Sequence, residues 1–191
     1  MMNTIDNRFS NETIVILKSL INRTLKKIKH NKFMYGPGVY GIVGLYIDDN
    51  VYKISNLIEV QDYFGKLEDV AYFRFESSQS SQIVSLLDGE GMIDYQIGSI
   101  IKEIRIVNEN QRLYHNNEQT YNVYTVRGLI FVFDDGRELS FEKPVWFSED
   151  IYVEKGYGLY SKFTSEDDFA EGWEDCEGYT TKCNRKIIII S

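Results

Sequence analysis

The stretch "GLIFVFDDGRELSFE", Gly128 to Glu142, leaves the chain little local choice. Phe131 and Phe133 share one side of its first half. Leu139 and Phe141 alternate with Glu138, Ser140 and Glu142 in its second, and Asp134-Asp135-Gly136 between them is turn chemistry. Period two on both sides of a turn is the pattern of a β-hairpin. "GIVGLYI" and "VYKIS" flank Asp48-Asp49-Asn50 in the same way and predict a second hairpin with a three-residue loop. Further strands are expected at 70–75, 99–107, 121–126, 151–155, 157–163 and 186–190, with loops at 77–82 and 113–119. Strands joined by turns of this kind, rather than by regular helices, favour an antiparallel sheet.

Two segments read as helices. Asn11 is placed to cap a helix over 11–30, in which Ile14, Leu17, Ile21, Leu25 and Ile28 recur on one face and Lys26, Lys27 and Lys29 suit the negative end of the dipole. Near the C-terminus, "FTSEDDFAEGWEDCEGYT" holds seven carboxylates in eighteen residues. Ser165 followed three residues later by Asp168 resembles a helix start, and Glu166 and Asp167 lie where the dipole favours anions. Wound as a helix, 166–175 puts Phe169, Ala170 and Trp173 in one sector and Asp167, Asp168, Glu171, Glu174 and Asp175 in the opposite one. The expected fold class is therefore α+β: a mainly antiparallel sheet with an N-terminal amphipathic helix and a short acidic C-terminal helix. One domain over 1–191, with a flexible N-terminus at 1–10, follows from the absence of a linker.

Composition adds bounds. With 43% hydrophobic and 14% aromatic residues the chain can fill a core. Only two alanines and two prolines stand against abundant Ile, Asn, Lys and Tyr, the bias of an AT-rich coding sequence from a low-GC bacterium or a mobile element. No apolar run approaches the roughly 20 residues of a membrane span, and "MMNTIDNRFSNE" lacks the plan of a secretory signal. The expectation is a cytoplasmic protein without a membrane partner, in which Cys176 and Cys183 stay reduced.

The net charge of −8 is unevenly placed: residues 1–32 hold seven cations and two anions, and the remainder holds fourteen cations and twenty-seven anions, a net −13. Such a field repels nucleic acid and favours encounter with basic surfaces, so the main body is not expected to bind nucleic acid directly.

Motifs that resemble chemistry fail on context. Gly36, Gly38 and Gly41 in "GPGVYG" satisfy G-x-G-x-x-G, but a dinucleotide site needs a strand before and a helix after, and here the order is reversed. The same run matches a kinase glycine loop, with Lys53 roughly where a phosphate-binding lysine would sit, yet no H-R-D or D-F-G follows. "RGLIFVF" shares the opening of an RNA-binding strand but lacks the aromatic at Leu129, so Phe131 and Phe133 read as core. Two cysteines and two histidines, with His30 and His115 far apart, do not make a zinc site. Flanking acids suppress the Cys176 thiolate, so Cys183, near Lys182 and Arg185, is the better candidate for a reactive thiol, but a buried or idle cysteine is the preferred reading. No cofactor and no metal are expected.

Carboxylates fanned along an outer helix face diverge, unlike the convergent oxygens of a calcium loop. They suit an acidic surface presented to a basic partner, with Trp146 and Phe147 in "KPVWFSED" as anchors. The leading expectation is a non-enzymatic inhibitor that covers a basic, nucleic-acid-binding surface of a partner protein, in the manner of an anti-CRISPR protein or a toxin's immunity partner. The competing expectations are a carboxylate-dependent hydrolase using Asp48, Asp49, Asp134, Asp135 or Glu149 with Tyr or His115, and a structural subunit of a phage or plasmid assembly.

Overall fold

A computed structural model describes residues 2–191. The chain runs β1 (Asn3–Asn7), α1 (Asn11–Ser19), β2 (Thr24–Asn31), β3 (Gly38–Tyr40), β4 (Ile42–Ile47), β5 (Asn50–Tyr63), β6 (Lys66–Ser78), β7 (Met92–His115), β8 (Glu118–Phe133), β9 (Glu138–Glu142), β10 (Asp150–Gly156), α2 (Asp168–Glu171) and β11 (Tyr179–Ile190). Short 3-10 turns lie at Ser80–Gln82 and Leu159–Lys162.

The strand order is β3-β10-β9-β8-β7-β2-β4-β5-β6. Only Gly41, at φ 68°, separates β3 from β4, so one bent segment stands at both ends of the series β3-β10-β9-β8-β7-β2-β4. The series therefore closes on itself as a six-stranded barrel. Asn56 of β5 reinforces the seam: its N–H donates to the Gly41 carbonyl at 2.9 Å and its Nδ2 donates to the carbonyls of Ser148 and Asp150, each at 2.9 Å. Leu25, Ile28, Leu45, Ile104, Phe131 and Phe141 fill one core, against which α1 lays Leu17 and Leu20.

The β7–β8 hairpin outgrows the barrel. Its turn is tight, with Asn116 and Asn117 both at positive φ. Beyond the barrel its far half is flanked by β11, antiparallel to β7 over residues 104–115, and by β1, parallel to β8 over 121–125. These four strands form a second sheet. One of its faces, carrying Leu113 and Val123, is covered by the tip of the β5–β6 hairpin and by the segment around α2. At that tip Gly65 adopts φ 96°, and a Cβ there would come 2.8 Å from the Tyr121 hydroxyl, so the turn and the close approach both require glycine.

The α+β expectation is corrected: the fold is mostly antiparallel β, with 59% strand and 11% helix. The helix expected over 11–30 ends at Ser19. Ser10, not Asn11, caps it, accepting from the Thr13 N–H at 3.2 Å, and Asn22 at φ 65° breaks the chain before β2. The helical spacing of Leu25 and Ile28 has another cause. A register shift between Leu25 and Lys27 marks a β-bulge, whose extra residue brings two side chains three apart onto the same inward face. The lysines lie along this strand instead, Lys27 pairing with Asp94 at 2.6 Å and Lys26 with Asp49 at 3.1 Å.

The acidic helix is corrected too. Only Asp168–Glu171 is α-helical, and Asp167 rather than Ser165 precedes it, without a side-chain cap. The chain then winds on through i→i+3 turns to Tyr179. Gly172 and the adjacent acids Glu174 and Asp175, placed at the negative end of the dipole, oppose a longer helix. Of the strands, 157–163 is instead a glycine-led 3-10 turn, and the loop at 48–50 shortens to two residues because Ile47 pairs with Asn50. The 128–142 hairpin forms as expected, with Phe131 and Phe141 fully buried edge to face at 5.9 Å.

Candidate partner-binding site

The second sheet has an unusual covered face. Its strands bring Glu109 and Gln111 from β7 and Arg127 from β8 inward, beside Arg185 from β11, and all four are buried. Buried charge is tolerated only when paired and hydrogen-bonded, and here it is. Arg185 Nε donates to Glu109 Oε2 at 2.7 Å and its Nη1 to the Thr164 carbonyl at 2.6 Å. Gln111 Nε2 donates to Glu109 Oε1 at 2.6 Å. Arg127 donates through Nε to Glu142 at 3.2 Å, through Nη2 to the Pro144 carbonyl at 2.6 Å, and also to the Thr164 hydroxyl. Thr164 in turn gives its N–H and hydroxyl to Glu142, at 2.9 and 2.7 Å. Burial pushes the Glu142 carboxyl above its ordinary value, with Thr164 and Arg127 pulling the other way. Neighbouring Lys143 donates to the Ala71 carbonyl and lies 4.2 Å from the centre of the Trp146 ring. Burial, helped by the charge of Arg127, brings its ammonium down to about 7.

Over this floor stands an aromatic cluster. Phe64 at the β5–β6 tip packs against Phe169 at 5.5 Å and Trp173 at 5.3 Å, and Tyr63 packs against Trp146 at 5.4 Å and Phe147 at 4.9 Å. Phe169 and Trp173 thus face inward as the sequence pattern suggested, although one helical turn and not a full helix carries them. Between cluster and floor lies a cavity of about 200 Å³. Tyr63, Trp146 and Phe147 wall it, Glu109 and Gln111 lie at its base, and Asp168 stands at its mouth.

Three of the residues singled out from the sequence, Trp146, Phe147 and Asp168, therefore meet at one cavity. Asp167, Glu171, Glu174 and Asp175 do not line it; they are exposed around it, with Glu177 beyond them. Trp146 is half-buried, whereas Phe147 is 54% exposed. Among the described residues, none of the seven carboxylates from Glu166 to Glu177 forms an ion pair. The contact between Phe64 and Phe169 sets Asp62, Glu68 and Asp69, exposed on the β5–β6 hairpin and likewise without ion pairs, beside the same acidic end.

The acids of the hydrolase alternative have local partners. Asp48 accepts from the Thr24 N–H at 3.1 Å and pairs with Arg23, Asp49 pairs with Lys26, and Asp135 pairs with Arg137. Asp134 accepts from the Ile100 N–H at 3.4 Å, and Glu149 takes the Tyr40 hydroxyl and the Ile58 N–H. His115 stacks on Tyr179 at 4.6 Å and His30 on Tyr95 at 4.6 Å. Cys183 fits the idle reading rather than the reactive one, because burial and the nearby Glu109 carboxylate push that thiol far up. No cluster of three or more His, Cys, Asp or Glu able to hold a metal occurs among the described residues. Among the described residues, no helix is long and apolar enough to cross a membrane.

Tyr63, Phe64, Glu109, Gln111 and Arg127 escape a reading of the sequence. For Glu109 and Gln111 the one signal is "NENQR", Asn108 to Arg112, a run of five polar residues without Gly or Pro between two apolar strand halves. Such a run continues a strand, and its inward members then need buried partners. No family model, no curated protein and no solved structure matches the chain, so the site is understood from its own residues.

Proposed function

We propose that the protein is a non-enzymatic acidic binding protein whose carboxylate-rich end covers a basic surface of a partner protein, with Trp146 and Phe147 as anchors. The observation that carries this reading is the distribution of ion pairs. Asp6, Asp48, Asp49, Asp94 and Asp135 each meet a cation nearby, whereas the seven acids of 166–177 meet none. Uncompensated like charge on a segment pinned by Phe169 and Trp173 is presented with little loss of freedom on binding, which favours affinity. It also steers encounter with a surface of opposite sign. Surfaces that bind nucleic acid keep their Lys and Arg unpaired for phosphate. A protein that covers such a surface acts as an inhibitor, and a mobile element is a natural source of one.

The test is retention of partners from a low-GC bacterial lysate by the full chain and by a D167K/E171K/E174K variant. A basic nucleic-acid-handling protein is expected on the wild type and weakened at least about tenfold on the variant, with the loss reproduced by raising salt. These exposed positions leave the fold intact, with a change in stability within about 0.5 kcal/mol per site. Equal retention by both proteins would remove the acidic end from the function.

A further inference from the structure

Resting on the docking reading above, we propose that the cavity beneath Trp146 and Phe147 receives one guanidinium side chain, an arginine of the basic partner. Size sets the first bound. At about 200 Å³ the space exceeds the roughly 150 Å³ that admits a benzene ring and falls short of the roughly 300–1,000 Å³ of small-molecule sites. One large side chain fits.

Chemistry sets the second. Gln111 is fully buried at the base, and its Oε1 has no hydrogen-bond partner. The amide cannot turn round to cure this, because its Nε2 is held by Glu109. A buried acceptor left unmade is costly, so the site favours an occupant that brings N–H donors. The walls are rings, with Tyr63 packed edge to face against Phe147 at 4.9 Å, and such ring surfaces suit a flat, weakly hydrated cation better than a compact ammonium. Trp146 already lies against the Lys143 ammonium, which leaves Tyr63 and Phe147 as the ring partners.

Charge sets the third. In the lining, Glu109 is already engaged by Arg185 and Gln111, and Arg127 by Glu142, Pro144 and Thr164, which leaves Asp168 as the carboxylate without an ion pair. The mouth opens among the unpaired acids of 166–177. An incoming arginine meets attraction outside and rings midway, with the unpartnered Gln111 Oε1 buried beneath.

The experiment titrates the full chain with acetyl-Gly-Gly-Arg-Gly-Gly-amide and follows the Trp146 indole N–H by NMR, beside the same peptide carrying citrulline or leucine. Citrulline keeps the shape of arginine and removes its charge. A saturable shift is expected with arginine, at least about fivefold weaker with citrulline, and weakened to a similar degree by Phe147→Ser, an exposed position, and by Gln111→Met. Equal response to arginine and citrulline, tighter binding of the leucine peptide, or no saturable shift would overturn the inference. The two readings fail separately. If the arginine peptide does not bind while charge reversal still releases a basic partner, the cavity inference alone falls. If the peptide binds with the expected selectivity and no basic partner is retained, the inference stands and the docking reading falls.

Discussion

Lys143 is a cation held where its chemistry resists being. It is 3% exposed, and burial brings its ammonium from an ordinary 10.5 to about 7. Between those values the unfolded chain holds a proton that the folded chain lacks, so this group makes stability rise with pH from about 7 toward 10, by up to ~1.4 kcal/mol per unit. The gain is lost as pH falls back to about 7, and below that both states are protonated. Denaturant midpoints measured across pH 7–10 should therefore climb in the wild type and flatten in Lys143→Met. At pH 7 the variant should be at least as stable, because replacing a buried charge with a matching apolar chain removes a desolvation penalty. Glu109 and Arg185 differ in kind: each is the other's partner, and losing either strands a buried charge at about 3–5 kcal/mol. Beyond the polar run 108–112, none of this was legible in the sequence. Glu109, Arg127 and Lys143 look like ordinary surface residues until pairing of β7 with both β8 and β11 buries one face of a polar run.

Elements were legible where turn chemistry and alternation agreed, as at Asp134-Asp135-Gly136, and misleading where a local irregularity imitated another period. The bulge between Leu25 and Lys27 is such a case. One extra residue in a strand reproduces the i, i+3 spacing of a helix, and composition cannot tell them apart. The acidic segment shows the converse: its inward pattern of Phe169 and Trp173 was legible, but Gly172 stops the α-helix after one turn. What holds the segment is its contact with Phe64 at 5.5 and 5.3 Å, not helical hydrogen bonding. Phe169→Ala should then cost about 3–5 kcal/mol at full burial, less where the neighbours relax. It should expose 165–178 to proteolysis before the barrel unfolds, which limited digestion followed by mass spectrometry would locate. Cleavage at wild-type rates would mean that Trp173 alone suffices.

At the scale of the molecule, one hairpin is shared by two structures: β7 and β8 complete the barrel at one end and found the second sheet at the other. Strand count and tight turns were legible in the sequence; closure was not, because it depends on a bend at Gly41 that lets one segment serve two neighbours. Closure also decides where open edges remain. The barrel has none of its own, but β11, twelve residues long, pairs only with β7. Half of its amides therefore point into the ladder and half away from it. Amide hydrogen exchange along 179–190 should accordingly alternate, slow and fast with a period of two residues, while the central strand β7 is protected on both sides over 104–115. A strand that keeps time in this way is a built-in reporter: whatever pairs with its outer side would silence every second amide and leave the others unchanged.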